Sequence, residues 1–83
     1  MVEFDPQRCK WLWNAFPVCL DDYVEIFPRG MRSLISITGR VIGLGDSALV
    51  LETDNNNLAI RYSEIRMIRK IHKPKKQEGV ETQ

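Results

Sequence analysis

Residues 34–53 read LISITGRVIGLGDSALVLET, two runs of alternating side chains joined by a short turn. In the first run Ile35, Ile37 and Val41 share one face, as in a half-buried β-strand. Residues 45–47, Gly-Asp-Ser, favour a tight turn, and the second run again places leucines on one face. The stretch therefore predicts two antiparallel strands, over residues 34–44 and 48–53.

Gly39 stands in the middle of the first strand, on the side that the pattern predicts to be buried. A glycine in a strand interior marks a sharp bend or a β-bulge. The opposite face carries Ser36, Thr38 and Arg40. The strand is therefore predicted to bend strongly, as in a small barrel.

Three further strands are predicted outside this stretch, over residues 23–27, 58–62 and 65–71, each bounded by turn residues. The N-terminal residues 5–16, DPQRCKWLWNAF, predict a short helix. Asp5 suits the N-cap, Pro6 the first helical position, and Pro17 ends the helix. The apolar residues at helical spacing are Cys9, Leu12, Trp13 and Phe16. The expected fold is mainly β: a short N-terminal helix followed by a five-stranded, strongly bent antiparallel small barrel.

The chain has 83 residues, a length that fits one domain, and its net charge is +1. We expect that domain to span residues 1–73 and residues 74–83 to form a disordered polar tail. The charge is unevenly distributed. Residues 1–28 hold two basic side chains against five acidic ones, and residues 61–76 hold seven basic ones against one acidic.

Several functional classes are disfavoured by composition. No apolar run is long enough to span a membrane, and the acidic N-terminus lacks the layout of a signal peptide, so a cytoplasmic location is expected. Cys9 and Cys19 are expected to be reduced and mostly buried, with a disulfide as the minor alternative. Neither they nor His72 suggests a metal site, and Asp21 and Asp22 are expected to be solvated acids. We expect no enzyme activity, no metal and no cofactor.

Two groups of residues resemble the motifs of a known superfamily. The first contains a glycine strand, an aspartate turn and an aliphatic strand, namely Ile37, Gly39, Val41, Leu44, Asp46, Leu49 and Leu51. The second, AIRYSEIRMI, contains Ile60, Arg61, Ile65 and Ile68. Their order and separation are similar to those of Sm-like proteins (Sm, LSm and bacterial Hfq), over about residues 20–71. The resemblance implies an Sm-like or SH3-like barrel and ring-shaped homo-oligomers that bind RNA.

The chain also departs from these motifs. Family members that bind uridine have an asparagine after the aspartate turn, where this chain has Ser47-Ala48-Leu49. Tyr62 replaces the glycine of the Arg-Gly pair, and the lysine-histidine pair of Hfq is absent. Of the base-pocket residues, only Arg61 carries over.

The basic end of the chain favours RNA as the partner. A basic strand can lie along phosphates, and a tyrosine can stack on a base. The predicted RNA-binding residues are Arg61, Tyr62, Arg66, Arg69, Lys70 and Lys73. Two alternatives stay open: the charges protect an edge strand from aggregation, or they meet an acidic partner protein. Oligomers are expected to assemble through the edges of the fourth and fifth barrel strands.

A second functional hypothesis rests on the aromatic residues, six of which precede residue 28. Trp13 and Phe16 are expected in the core, whereas Trp11 lies off the apolar helix face. Because tryptophan is enriched at binding hot spots, Trp11 is a candidate partner contact. The chain would then be a protein-interaction or assembly module that does not bind RNA. A more remote possibility is a barrel detached from a larger membrane-associated machine.

Overall fold

The computed structural model describes residues 5–30 and 35–72, and that part of the chain contains seven β-strands. A single 3₁₀ turn, Tyr62–Glu64, precedes the last strand. The strands are β1 (Cys9–Leu12), β2 (Phe16–Cys19), β3 (Tyr23–Pro28), β4 (Ile37–Leu44), β5 (Ala48–Glu52), β6 (Asn57–Arg61) and β7 (Ile65–Ile71). The five strands expected from Tyr23 onward are thus present, with small differences at their ends. Leu34, Lys73 and residues 74–83 lie outside the described residues.

The strands form two antiparallel sheets. β1 and β2 form a hairpin, and the other five strands follow the order β6-β5-β4-β3-β7. β6 and β7 stand at the two ends of that order and do not pair with each other within the described residues. The expected fold, a helix followed by a five-stranded small barrel, is therefore wrong: the five strands form a sheet that does not close. β7 pairs with β3, while the 3₁₀ turn separates it from β6, so each of these strands keeps one edge without a strand partner in this part of the chain.

Alternating apolar residues build the core between the sheet and the hairpin. β3 and β5 each contribute every second side chain to it, as the pleat of a β-strand requires, whereas β7 contributes Ile65 and Ile68, three residues apart. The buried residues are Leu12, Val18, Val24, Ile26, Val41, Leu49, Leu51, Ile65 and Ile68. Leu12 and Val18 belong to the hairpin. The hairpin and the five-stranded sheet therefore share one hydrophobic core.

Gly39 allows two strands to approach closely. A Cβ atom at this position would lie 2.7 Å from the carbonyl oxygen of Glu52, which is too short for any real contact. The β-bulge in β4 falls further along the strand, between Val41 and Gly43. The bulge expected at Gly39 is therefore wrong, and the missing side chain instead makes room for the Glu52 carbonyl.

The predicted N-terminal helix is not present. The carbonyl oxygen of Asp5 accepts hydrogen bonds from the N–H groups of Arg8 (2.8 Å) and Cys9 (2.7 Å), so one turn begins as expected. The chain then extends into β1. A helix of three turns is marginal in water because its nucleation is costly, whereas the hairpin buries Leu12 and Val18 in the core.

The two cysteines form a disulfide, contrary to the expectation of reduced thiols. Cys9 and Cys19 are direct partners in the register of β1 and β2, with their Cα atoms 3.9 Å apart. The expectation of reduced thiols, which assumed a cytosolic protein, is therefore wrong.

Candidate interaction surfaces

The tip of the β1–β2 hairpin has a backbone that its residues rarely adopt. We call residues 9–19 the tryptophan hairpin. Trp13 and Asn14 have φ angles of 55° and 57°, and the N–H of Ala15 donates to the carbonyl of Leu12 across 3.0 Å. Positive φ at both central residues is typical of tight hairpin turns, and asparagine tolerates it. For a bulky residue the left-handed region costs about 1–2 kcal/mol, so the turn holds Trp13 in a strained conformation.

Both tryptophans of the chain are exposed on this hairpin. Trp11 and Trp13 are 48% and 55% exposed, whereas Leu12 between them is buried. Trp11, the predicted partner contact, lies in β1 opposite Pro17. The expectation that Trp13 belongs to the core is wrong, because residue 13 lies in the turn between β1 and β2 and not on a helix face, and its side chain is 55% exposed. Phe16 is half-buried and packs against the core.

The base of the tryptophan hairpin is held by an acidic pair. The N–H of Cys19 donates to Asp22 Oδ2 across 2.8 Å. Asp21 accepts from Arg8 Nη2 at 3.0 Å and from Arg40 Nη1 at 2.7 Å. Asp21 and Asp22, expected to be solvated acids, therefore connect the hairpin to the five-stranded sheet.

Arg69, one of the predicted RNA-binding residues, is paired with an acid on the neighbouring strand. Its Nε lies 2.6 Å from Glu25 Oε1. The hydroxyl of Ser36 donates to the other oxygen, Oε2, across 2.7 Å. The Ser36 hydrogen bond and then that of Arg69 lower the pKa of Glu25 below its ordinary value. Arg69 is thus paired with Glu25, while 68% of its side chain stays exposed to solvent.

Lys70 contacts the connection between the tryptophan hairpin and the sheet. Its Nζ lies 3.4 Å from Asp22 Oδ2 and 5.7 Å from the centre of the Phe16 ring. Arg69 instead pairs with Glu25 on β3. Two adjacent cations of β7 therefore have separate acidic partners.

Arg61 and Tyr62 lie near the beginning of the 3₁₀ turn. The hydroxyl of Tyr62 donates to the carbonyl of Gly45 across 2.8 Å, and Lys10 Nζ lies 5.7 Å from the centre of its ring. Burial, and secondarily the charge of Asp46, raise the pKa of Tyr62. A base that stacks on this ring would compete with Lys10. Arg61 itself is exposed.

The predicted RNA-binding residues differ in the groups that they contact. The guanidinium of Arg66 lies 5.8 Å from the centre of the Phe27 ring. Arg69 and Lys70 contact acids, Arg61 is exposed, and Lys73 lies outside the described residues. The described cations of the last strand therefore have partners within the fold but remain exposed to solvent.

A cavity of about 650 Å³ lies beside β4 and was missed from the sequence. Its wall combines hydroxyl, amide, charged and apolar side chains from β3, β4, β5, the β5–β6 turn and β6. The available signal was the polar face formed by Ser36, Thr38 and Arg40, all of which line it. The alternating pattern identified that face but not the groups opposite to it.

Within residues 5–30 and 35–72, no group of histidine, cysteine and acidic side chains is arranged to hold a metal ion. The same residues contain no helix that is long and apolar enough to cross a membrane.

Comparison with known proteins gives no relative. The chain matches no protein-family model, no curated protein sequence and no solved structure. Functional conclusions therefore rest on the geometry of the surfaces described above.

Proposed function

We propose that this chain is a non-enzymatic protein-interaction module and that the tryptophan hairpin is its contact surface. The observation that carries the proposal is the exposure of Trp11 and Trp13, 48% and 55%, on a hairpin whose other side is anchored in the core. Tryptophans at such positions supply large contact areas, and they are enriched among the residues that dominate binding energy.

Two features support a role in binding over a role in folding. The hairpin is constrained by the Cys9–Cys19 disulfide and by the core contacts of Leu12, so little order would be lost on association. Strain at Trp13 is not explained by burial of its ring. Strained backbone is concentrated at functional sites.

The test compares the double variant Trp11→Ala/Trp13→Ala with Met67→Ala, a matched loss of an exposed apolar side chain on β7. Met67 is 47% exposed. We expect the double variant to lose a partner identified by cross-linking and affinity purification, while its far-UV circular dichroism stays that of the wild type. The Met67 variant should retain the partner. Retention of that partner by both variants would contradict the proposal.

A second candidate is RNA binding, which the Sm-like resemblance favours and which the exposure of Arg61 beside Tyr62 supports. Phosphate contacts release counterions, so RNA affinity should fall steeply as salt concentration rises.

Titration of a single-stranded RNA into the wild type and into Arg61→Ala, at low and moderately high salt, tests this candidate. The Arg61 variant should bind more weakly and show a shallower salt dependence. Absence of binding at low salt, or affinity that does not change with salt, rules the candidate out.

Both candidate functions include homo-oligomers that assemble through strand edges. The free edges of β6 and β7 within the described residues are suited to pairing between copies. Light scattering across a size-exclusion peak, with and without RNA, measures the assembly. A monomer at all concentrations would exclude it.

The cytoplasmic location expected from the N-terminal sequence conflicts with the disulfide, because disulfides are rare in reducing compartments. Alkylation of thiols in intact cells distinguishes a cytoplasmic location from an oxidising compartment. Alkylated Cys9 and Cys19 would support the cytoplasm, and an intact disulfide would support an oxidising compartment.

A further inference from the structure

The cavity beside β4 borders a part of that strand with a partner on one side only. β4 pairs with β3 from Ile37 onward, but its pairing with β5 begins at Arg40, opposite Glu52. After Glu52 the chain turns away, and the N–H of Thr53 donates to the carbonyl of Asn56. Among the described residues, Ile37 and Thr38 therefore have no strand partner on the β5 side, whereas the Glu52 carbonyl approaches that side at Gly39.

The backbone of Thr38 faces this open side. The N–H of Val41 donates to the carbonyl of Asp22, and its carbonyl accepts from the N–H of Asp21, both at 2.8 Å on the β3 side. In an antiparallel pair, successive residues direct their hydrogen-bonding groups to alternate sides. Gly39 then faces β3, and the N–H and carbonyl of Thr38 point toward the cavity that Thr38 lines.

The wall of the cavity carries excess negative charge. It contains one cation, Arg40, and two carboxylates, Glu52 and Asp54. Arg40 donates to Glu52 Oε1 through Nε (3.2 Å) and Nη2 (2.7 Å) and to Asp21 through Nη1 (2.7 Å). Its charge is thus shared between two acids. The Glu52 contact raises the pKa of Arg40 further above its ordinary value, so this guanidinium stays charged.

Apolar and polar groups complete the cavity. Tyr23 and Leu58 provide surfaces against which the methylene stem of a long side chain can pack. Ser36 and Asn55 add hydrogen-bonding groups. An open strand edge beside an acidic, partly apolar recess fits an extended peptide better than a phosphate-bearing ligand.

We propose that this cavity binds an extended segment of a partner protein by strand addition to β4, with a lysine or arginine of that segment opposite Thr38. The segment's backbone pairs with the N–H and carbonyl of Thr38, and its cationic head lies beside Glu52 and Asp54. Main-chain hydrogen bonds provide affinity in this mode of recognition, and side-chain pockets provide specificity. The site is separate from the tryptophan hairpin and does not depend on that proposal.

The test uses the full chain and capped pentapeptides of sequence Ser-Thr-Lys-Thr-Ser and Ser-Thr-Glu-Thr-Ser. Amide chemical shifts are followed by NMR during titration. The lysine peptide should shift the amide resonances of Thr38 and Asn55 and bind at least fivefold more tightly than the glutamate peptide. Equal binding of the two peptides, or shifts confined to other regions, would overturn the proposal.

Two controls separate the charge contribution from the backbone contribution. Asp54→Lys should weaken the lysine peptide about fivefold, as expected for an exposed charge contact. The matched variant Asp46→Lys, at an exposed acid in the β4–β5 turn, should leave its affinity unchanged. A peptide N-methylated at its lysine should bind less tightly than the parent, because it cannot donate to the Thr38 carbonyl. Equal loss in both variants, or no effect of methylation, refutes the assigned geometry.

Discussion

Removal of the Cys9–Cys19 disulfide should strongly destabilise the protein. The crosslink closes a loop with a sequence separation of 10 residues, for which the loop-entropy model gives a stabilisation of about 2.7 kcal/mol at 25 °C. A chain of 83 residues has a total free energy of unfolding of roughly 4–12 kcal/mol. The double variant Cys9→Ser/Cys19→Ser is therefore expected to lose a large fraction of its stability.

The loss of stability should act on the packing of the hairpin against the five-stranded sheet. The hairpin supplies Leu12 and Val18 to the core, so opening it uncovers apolar surface of the five-stranded sheet. Trp11 and Trp13 are the two tryptophans of the chain and both lie in the hairpin. Their fluorescence during urea denaturation consequently reports on the hairpin, while circular dichroism reports on the whole sheet.

The assay compares oxidised wild type, wild type with reductant, and the double serine variant. Reductant should lower the free energy of unfolding of the wild type to nearly that of the variant, and it should not affect the variant. A difference below about 0.5 kcal/mol between oxidised wild type and the variant would refute the loop argument, since the model requires several times that value. Free thiols in the purified, unreduced protein would refute the disulfide itself.

Three further outcomes are expected from the packing. Leu12→Ala should lower the free energy of unfolding by about 2–5 kcal/mol, because it leaves a cavity between hairpin and sheet. A urea titration measures this free energy, and a loss below about 1 kcal/mol would contradict the burial of Leu12. Gly39→Ala should lower the free energy of unfolding by about 1–3 kcal/mol in the same assay, because the alanine Cβ would meet the Glu52 carbonyl at 2.7 Å. If the variant is as stable as the wild type, this close approach does not exist. Glu25 has a pKa lowered chiefly by Ser36, so its contribution to stability is present above its unfolded pKa and is lost as pH falls through the folded one. Glu25→Gln should accordingly flatten the acid limb of a stability–pH curve below about pH 4.5, and an unchanged limb would exclude this linkage.

The N-terminal segment shows why its secondary structure was mispredicted. Cys9, Leu12, Trp13 and Phe16 fit a helical period, and Asp5 and Pro6 fit a helix start. The alternative, a hairpin, depends on the pairing of Cys9 with Cys19 and on a tight turn at Trp13 and Asn14. Tryptophan is an unusual residue for positive φ, so local rules gave no turn signal there.

The candidate sites were likewise only partly predictable. Trp11 was selected because it lies off the apolar face of a predicted helix; that helix is absent, but Trp11 is exposed in β1. The cations of the last strand were equally visible, but a sequence does not show that Arg69 lies beside Glu25 or Lys70 beside Asp22. These partners are 44 or more residues apart along the chain, and only sheet pairing brings them together.

The sequence by itself determined the strands from Tyr23 to Ile71, because side-chain alternation is a local consequence of the β pleat. Tertiary structure decided whether the N-terminus became a helix or a hairpin, whether the cysteines met, and which cations were paired with acids. Each of those outcomes depends on the free energy of contacts between distant segments. A hairpin that adds Leu12 and Val18 to a core shared with β3, β4, β5 and β7 is favoured over an isolated short helix, although the local apolar spacing and the N-cap fit a helix.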